Sequence, residues 1–214
     1  MDKKYWELFY LQHGKDKGIS ECSSFAQFCL DNVFIGKNFN IIELGSGNGR
    51  DAIYLASHEH SVVAIDQSTT AIDIEKQRLN IEVAHLLSPR AADFVYEDYT
   101  QYKKIDAFYS RFTIHSITKS DEEALLSNVY SALKDGGLFC IEVRTTKDPL
   151  FGVGQDCGDN TFMTDGHRRR FIDSVEFRNR VVGMGFKELY FIEKDNLSVY
   201  KNDNPVLMRI ILKK

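Results

Sequence analysis

Short apolar runs alternate with stretches of helical spacing along most of the chain. Asn40–Leu44, Ser61–Ile65, Phe94–Tyr96, Ile105–Tyr109 and Leu138–Val143 read as strands. Contiguous apolar residues bounded by turn formers suit a strand buried on both faces. Between them, Arg50–Ser57 and the stretches from about Thr69 to Leu79 and Asp121 to Leu133 carry helical spacing. The last ends at Asp135-Gly136-Gly137, a C-cap signal. Ahead of the first strand, residues 3–12 and 20–35 predict helices. In the second, Phe25, Phe28, Cys29, Asn32 and Val33 form the stripe, with Ser20 as a possible N-cap. A helix over Ile172–Met184, ended by Gly185, precedes two strands, Phe186–Glu193 and Val206–Leu212. These flank a turn containing Asn202, Asp203, Asn204 and Pro205 and predict an antiparallel hairpin. Strand–helix alternation demands parallel pairing with helical crossovers, hence an α/β, doubly wound, mostly parallel seven-stranded sheet with helices on both faces.

One stretch breaks the rhythm. Residues 145–170 read as a long loop rich in Gly, Asp and Thr, and loops of that length in a compact domain are usually functional. The expected organisation is a single domain with an N-terminal helical segment (1–38), a ligand-binding core (39–145) and an acceptor loop (146–171). A chain of 214 residues with 43% hydrophobic and 27% charged residues can bury the core this requires. The net charge of −4 advertises no nucleic-acid partner. The start, MDKKYWELFY, has no apolar signal-peptide core, and no stretch approaches the ~18 apolar residues of a membrane span. A cytoplasmic protein without a membrane partner is expected. Cys22, Cys29, Cys140 and Cys157 form no C-x-x-C pair, so buried or incidental thiols are expected rather than a disulfide or a metal site. His13, His58, His60 and His85 have no chemical context and read as surface residues.

The sharpest local signal is IIELGSGNGR, residues 41–50. A strand, a glycine turn and a helix start together aim backbone N–H groups at a ligand. The glycines fall at Gly45, Gly47 and Gly49, as G-x-G-x-G. That spacing differs from the G-x-G-x-x-G of dinucleotide sites, and no Walker lysine follows. With Glu43 ahead of it, the pattern resembles motif I of the class I S-adenosylmethionine (SAM)-dependent methyltransferases, whose domain is Rossmann-like. Supporting positions recur in order. Ile65-Asp66 ends the second strand, where an acidic group accepts both ribose hydroxyls. Glu97-Asp98 follows Phe94–Tyr96, where the family places an acidic residue near the adenine amino group. IDAFYSRFTIHSI resembles the family's segment beside the methionine end of SAM, and Leu133–Leu138 its glycine turn before strand five. The resemblance covers about residues 40–145. It implies SAM as cofactor, with Glu43, Gly45, Ser46, Gly47, Asp66, Gln67, Asp98 and Tyr99 as its binding residues. The aromatic segment YWELFY also looks like a pre-domain segment of some members, which implies that Tyr5 and Trp6 cover the cofactor and Tyr10 reaches the acceptor; the competing reading is that these aromatics pack the helix onto the sheet.

Ligands of open α/β sheets lie outside the carboxyl ends of the strands, which gathers three polar groups there. Tyr109, Arg111 and His115 follow strand four, and they are the catalytic candidates. Histidine titrates in the range a general base needs, although a structural histidine beside the cofactor is the competing reading. Glu142 and Arg144 close strand five; Arg144 either holds an anionic acceptor or pairs with Glu142 or a loop acid. DGHRRRF, residues 165–171, offers His167, Arg168, Arg169 and Arg170 at the expected opening of a helix, as an anion site or as a solvated face. Arginines from two segments favour a small anionic acceptor. YSRFTIHS and DGHRRRF look like small O-methyltransferases of bacterial surface-polysaccharide synthesis, which implies a sugar, phosphate or phosphoramidate oxygen as acceptor. A thiol or tellurite methyltransferase, a non-catalytic SAM-binding regulator and a nucleic-acid methyltransferase are the alternatives. The last lacks its N/D-P-P-Y/F motif.

Overall fold

The structure, a computed structural model, describes residues 2–16, 21–102, 104–164 and 166–214. Two helices, α1 (Lys3–His13) and α2 (Ser24–Asn32), precede the sheet. Then follow β1 (Asn40–Leu44), α3 (Arg50–Ser57), β2 (Ser61–Asp66), α4 (Thr69–Arg78), β3 (Leu87–Ala91) and β4 (Ala107–Arg111). The second half holds α5 (Lys119–Ala132), β5 (Leu138–Arg144), β6 (Gln155–Asp156), β7 (Thr161–Thr164) and β8 (His167–Arg170). It ends with α6 (Ser174–Gly183), β9 (Lys187–Lys194) and β10 (Leu207–Lys213). Seven strands form one sheet in the order β3-β2-β1-β4-β5-β10-β9. β1 to β5 pair in parallel, while β10 runs antiparallel between β5 and β9.

The unbroken apolar runs have a simple cause. Side chains alternate faces along a strand, and both faces are covered. Ile42, Leu44, Phe108, Phe139, Ile141 and Ile210 pack toward Leu125 and Leu126 of α5 and Phe177 of α6. Ile41, Ala107, Cys140 and Ile211 pack toward Phe25 and Cys29 of α2 and Leu55 of α3. Helix starts are fixed by side-chain caps: Ser23 on Ala26, Ser68 on Ala71, Asp173 on Val175 and Glu176, and a reciprocal Thr118/Asp121 box. Each cap contributes about 1 kcal/mol. Ser20 lies outside the described residues, and Ser23 caps α2.

Three sequence expectations are corrected here. The third strand is Leu87–Ala91, not Phe94–Tyr96. LSPRA is polar and contains Pro89, yet it stands at the sheet edge, where one face of pairing is enough and proline is tolerated. Phe94 and Val95 are buried by a turn after the strand. Residues 145–170 are not one loop: β6, β7 and β8 form a separate three-stranded antiparallel sheet. Its ends close on the main sheet, where Ile172 N–H donates to the Arg144 carbonyl (3.0 Å) and Thr146 N–H to that of Ile172 (3.1 Å). Phe151, Phe162 and Phe171 back it with ring centroids 5.3–6.1 Å apart. His60, expected at the surface, is buried, and its Nδ1 accepts from Phe39 N–H (3.0 Å). Among the described residues no helix is long and apolar enough to cross a membrane.

Candidate functional site

The topology switches direction between β1 and β4, and the carboxyl ends of those strands open into a crevice. The turn after β1 is tied down first. Gly45 and Ser46 N–H groups donate to the Ile65 carbonyl (2.7 and 3.0 Å), and Thr113 Oγ1 donates to that of Leu44 (2.7 Å). Gly47 has φ +59°, and a Cβ there would collide with the Tyr10 hydroxyl, so only glycine lets α1 close over the turn. Gly49, at φ +76°, likewise leaves room for Glu75 of α4.

A cavity of about 230 Å³ lies over this turn. Trp6, Tyr10, Glu43, Gly45, Ser46, Asp66, Gln67 and Arg111 all line it, so these sequence candidates meet in one place. Asp66 accepts from Gly47 N–H (2.9 Å) and Ser68 N–H (2.8 Å). Burial nevertheless pushes its carboxyl up to about 6, against the lowering effect of those two bonds. Burial also lifts the Glu43 carboxyl well above its usual range, with Asp51 and Glu75 adding repulsion. Glu75, which accepts from Ser46 Oγ (3.0 Å), is pushed by burial up to about 8. Glu43 Oε2 and Gln67 Nε2 are buried without a hydrogen-bond partner. Orphaned buried polar atoms are costly. Together with Asp66, they supply what a polar, hydroxyl-bearing ligand would satisfy.

The roof is α1. None of its residues is buried, but Glu7 moors it to the start of α4. The carboxylate accepts from Thr69 N–H (2.7 Å), Thr69 Oγ1 (2.9 Å), Thr70 N–H (3.1 Å) and Ser68 Oγ (3.1 Å). Against a burial cost that would raise it, hydrogen bonds from Thr70 and Thr69 take Glu7 down to about 2. A carboxylate capping a helix N-terminus is the favourable arrangement. Tyr10, expected at the acceptor, instead stands against Gly47 and lines the first cavity but not the second described below.

A second cavity of about 470 Å³ shares Trp6, Phe9, Arg50, Arg111 and Phe112 with the first. It adds Tyr5, His115, Arg144, His167, Arg169 and the 197–203 segment between β9 and β10. Phe112, with φ +56°, is a non-glycine residue in the left-handed region at the junction of the two cavities. Its ring packs on Arg111, 4.2 Å away. Tyr5 stacks on His167 at 4.4 Å. His115 is buried and its pKa falls well below the usual value through burial, with repulsion from Arg169, Arg144, His167 and Arg170 adding to it. Burial, then Arg169, takes His167 down to about 4. Both imidazoles are therefore neutral near pH 7, and the Nδ1 of each is buried without a partner.

Register explains how Arg111 is held. Arg111 on β4 stands opposite Glu142 on β5, which stands opposite Arg209 on β10. Glu142, fully buried, accepts from Arg111 Nε (2.9 Å) and from Arg209 Nε (2.5 Å). Arg111 also donates to Ser198 Oγ (2.7 Å).

Several expected residues fall elsewhere. Tyr109 is fully buried on the face opposite Phe108, donates to Asp51 Oδ2 (2.8 Å) and stacks on Phe25, so it lines neither cavity. Asp98 is exposed, caps the Tyr99–Gln101 turn and lines neither cavity. Tyr99 is in the core, donating to the Phe94 carbonyl. Both followed from placing the third strand too late; the acidic residue just past β3 is Asp93, beside cavity-lining Phe94. Arg144 pairs with Asp148 and Asp203, not with Glu142. The three arginines sit on a strand rather than a helix start, and so alternate. Arg168 is exposed and Arg170 is buried on Glu122 and the Ile114 and Ile117 carbonyls, leaving Arg169 to face the second cavity. Arg50 and Phe112, which line both cavities, were missed; adjacency to Gly49 was the only available signal for Arg50.

Residues 41–137 match a family described as a methyltransferase domain (Methyltransf_25). A curated uncharacterized methyltransferase of Synechocystis sp. is 26% identical over 117 residues, spanning 55% of this chain and 52% of that relative. The chain thus aligns with about half the length of this relative. Among solved structures, the CcbJ methyltransferase of Streptomyces caelestis superposes with a TM-score of 0.76 at 12% identity, covering 99% of this chain and 98% of that one. A 1,6-didemethyltoxoflavin-N1-methyltransferase of Burkholderia thailandensis gives 0.72 at 15% identity, covering 99% and 86%. The glycopeptide N-methyltransferase MtfA in complex with SAM gives 0.69 at 15% identity, covering 90% and 94%. These structures share the fold with this chain.

Proposed function

We propose that this chain is a SAM-dependent methyltransferase that O-methylates a small anionic acceptor seated in the second cavity. The carrying observation is the pair of joined cavities. One presents acidic and hydroxyl-accepting groups over the glycine turn, and the other presents guanidinium and neutral imidazole groups. The residues fit SAM: Asp66 accepts from ribose hydroxyls, Glu43 Oε2 and Gln67 Nε2 gain partners, and Asp93 takes the place first expected of Asp98 near adenine. Bound there, SAM supplies an activated methyl group. The rest falls to the chain: residues 1–38 cover the cofactor, 39–145 hold it, and 146–171 complete the acceptor site.

Methyl transfer needs alignment and exclusion of water. Trp6, Phe9 and Phe112 wall both cavities with rings, and Arg111, locked by Glu142, marks their junction. His115, neutral and with Nδ1 free, accepts the proton of a hydroxyl acceptor. A phosphate-type oxygen is already ionised and needs only positioning. A sugar, phosphate or phosphoramidate oxygen of a bacterial surface polysaccharide fits these demands, and a cytoplasmic location is in keeping with it.

Calorimetry with SAM and its demethylated product tests the cofactor half, and binding of both is expected. Release of demethylated cofactor on incubation with phosphorylated or nucleotide-linked sugars tests the acceptor half. Binding without turnover across that panel, which also includes amines and thiols, returns the protein to the regulatory reading. Turnover only on an amine or a thiol removes O-methylation.

A further inference from the structure

We propose that the second cavity is built for a doubly charged phosphoryl group, gripped by Arg50 and Arg169 and hydrogen-bonded by His115 and His167. The inference rests on reading that cavity as the acceptor site and adds which groups hold the acceptor and in what charge state. Four guanidinium groups line it. Arg111 is committed to Glu142 and Ser198, and Arg144 to Asp148 and Asp203. Arg144 has no charge to spare, while Arg111 shares the single Glu142 carboxylate with Arg209. Arg50 and Arg169 have no ion pair among the described residues, and Arg169 Nε is buried without any hydrogen-bond partner. Leaving a partly buried guanidinium uncompensated is expensive, and the usual resolution is a bound anion.

Glu43 lies near Arg50, and Asp203 and Asp148 near Arg169, but neither guanidinium has a direct ion-pair partner among the described residues, so each can take an oxygen of a bound anion. Glu21, the remaining carboxylate of the lining beside Asp203, is exposed at the rim. The planar forks of two arginines suit the tetrahedral oxygens of a phosphate monoester better than a single carboxylate. The histidines add to the grip. Each is neutral and buried, with Nδ1 unpartnered, and can give one N–H to a phosphoryl oxygen. Tyr5 stacked on His167, and Trp6 edge-on to it at 5.3 Å, fix that ring's plane. Cationic neighbours face both rings: Arg169, Arg144 and Arg170 around His115, and Arg169, opposed by Asp2, around His167. A dianion placed among them lowers that repulsion, so both imidazoles must titrate at higher pH when it binds.

The test titrates methyl phosphate, with sulfate and acetate for comparison, into the protein alone and into protein saturated with demethylated cofactor. Binding is read by calorimetry and by NMR titration of the histidine side chains, assigned with His115→Gln and His167→Gln. Methyl phosphate is expected to bind at least tenfold more tightly than acetate and to raise the titration midpoints of both histidines. Arg169→Gln and Arg50→Gln are each expected to weaken it at least tenfold, with Arg169→Lys partly restoring it. Arg168→Gln, altering an exposed neighbour on the same strand, is expected to change nothing. Thermal unfolding confirms that each variant is folded. Equal affinity for methyl phosphate and acetate, or full affinity in folded Arg169→Gln, overturns the proposal. Loss of cofactor binding in Arg50→Gln with methyl phosphate affinity intact overturns Arg50's place in it. Because phosphate binding is read without turnover, failure here leaves the methyltransferase reading standing. Failure of cofactor binding or turnover leaves this site standing.

Discussion

The two cavities share a wall and meet opposite electrostatic problems. Around the glycine turn, Glu43, Asp66 and Glu75 are buried together, and desolvation pushes all three carboxyls upward. Across Arg111 and Phe112, His115 and His167 are buried beside guanidinium groups, and desolvation pushes both imidazoles downward. Burial acts identically on both sides, disfavouring whichever form is charged. The outcome is one side of raised carboxyls, with Asp66 lifted only to about 6 and so still ionised near pH 7, and another of neutral imidazoles among guanidinium groups. The difference teaches that one crevice presents carboxyl groups on one side and guanidinium groups on the other, as the proposed pairing of a cationic cofactor with an anionic acceptor requires.

The comparison is broken hardest at His115. His115→Ala is expected to lower kcat for a hydroxyl acceptor by about 10²–10⁴-fold, and with a phosphate-type oxygen to leave kcat nearly unchanged while raising KM. Steady-state rates on the two acceptor types decide it, and equal activity of variant and native protein on a hydroxyl removes His115 from the site. Next in size is the anchor of the basic side. Glu142→Ala strands the buried charges of Arg111 and Arg209, at a cost of about 3–5 kcal/mol. At roughly 2–4 °C per kcal/mol for a chain of this size, Tm should fall on the order of 10 °C in a thermal scan.

On the acidic side, Asp66→Ala removes the acceptor of Gly47 and Ser68 N–H as well as the proposed ribose contact. Affinity for demethylated cofactor should fall about 100-fold in calorimetry, as expected for losing charge-assisted bonds. The mildest test sharpens rather than breaks. Glu75 is raised to about 8 in the folded protein, so between its unfolded value near 4.5 and pH 8 the native state binds more protons than the unfolded one. Stability therefore falls as pH rises across that window. Glu75→Gln removes the titration while keeping an acceptor for Ser46 Oγ. Its Tm should gain on that of the native protein between pH 5 and pH 9, and parallel curves would show that Glu75 is not raised.

Legibility in the sequence tracked how local each signal was. Strands buried on both faces announce themselves by unbroken apolar runs, so β1, β2, β4 and β5 were readable within a residue or two. β3 was not, because an edge strand needs little apolar surface and the buried Phe94–Val95 pair imitated one. That single slip put the acid expected at the end of the third strand at Asp98, whereas β3 ends at Ala91 and is followed by Asp93. The glycine turn was readable because its spacing is a backbone requirement: Gly47 must admit both Asp66's hydrogen bond and Tyr10. The arginine run was visible but undecidable, since a strand and a helix start distribute three consecutive side chains differently.

By itself, then, the sequence determined the doubly wound sheet, the glycine turn with Asp66, and the presence of basic residues beyond β4 and β5. Those features depend on periodicity and on turn chemistry carried by neighbouring residues. Only the tertiary structure decided which charges are already spent. Arg144 is paired with Asp148 and Asp203, Arg111 shares Glu142 with Arg209, and Arg170 pairs with Glu122, partners up to 59 residues away in the chain. Among the described residues, Arg50 and Arg169 are left without an ion pair in the same cavity by the same folding. Charge compensation is a property of distance in space, and no pattern along the chain encodes it.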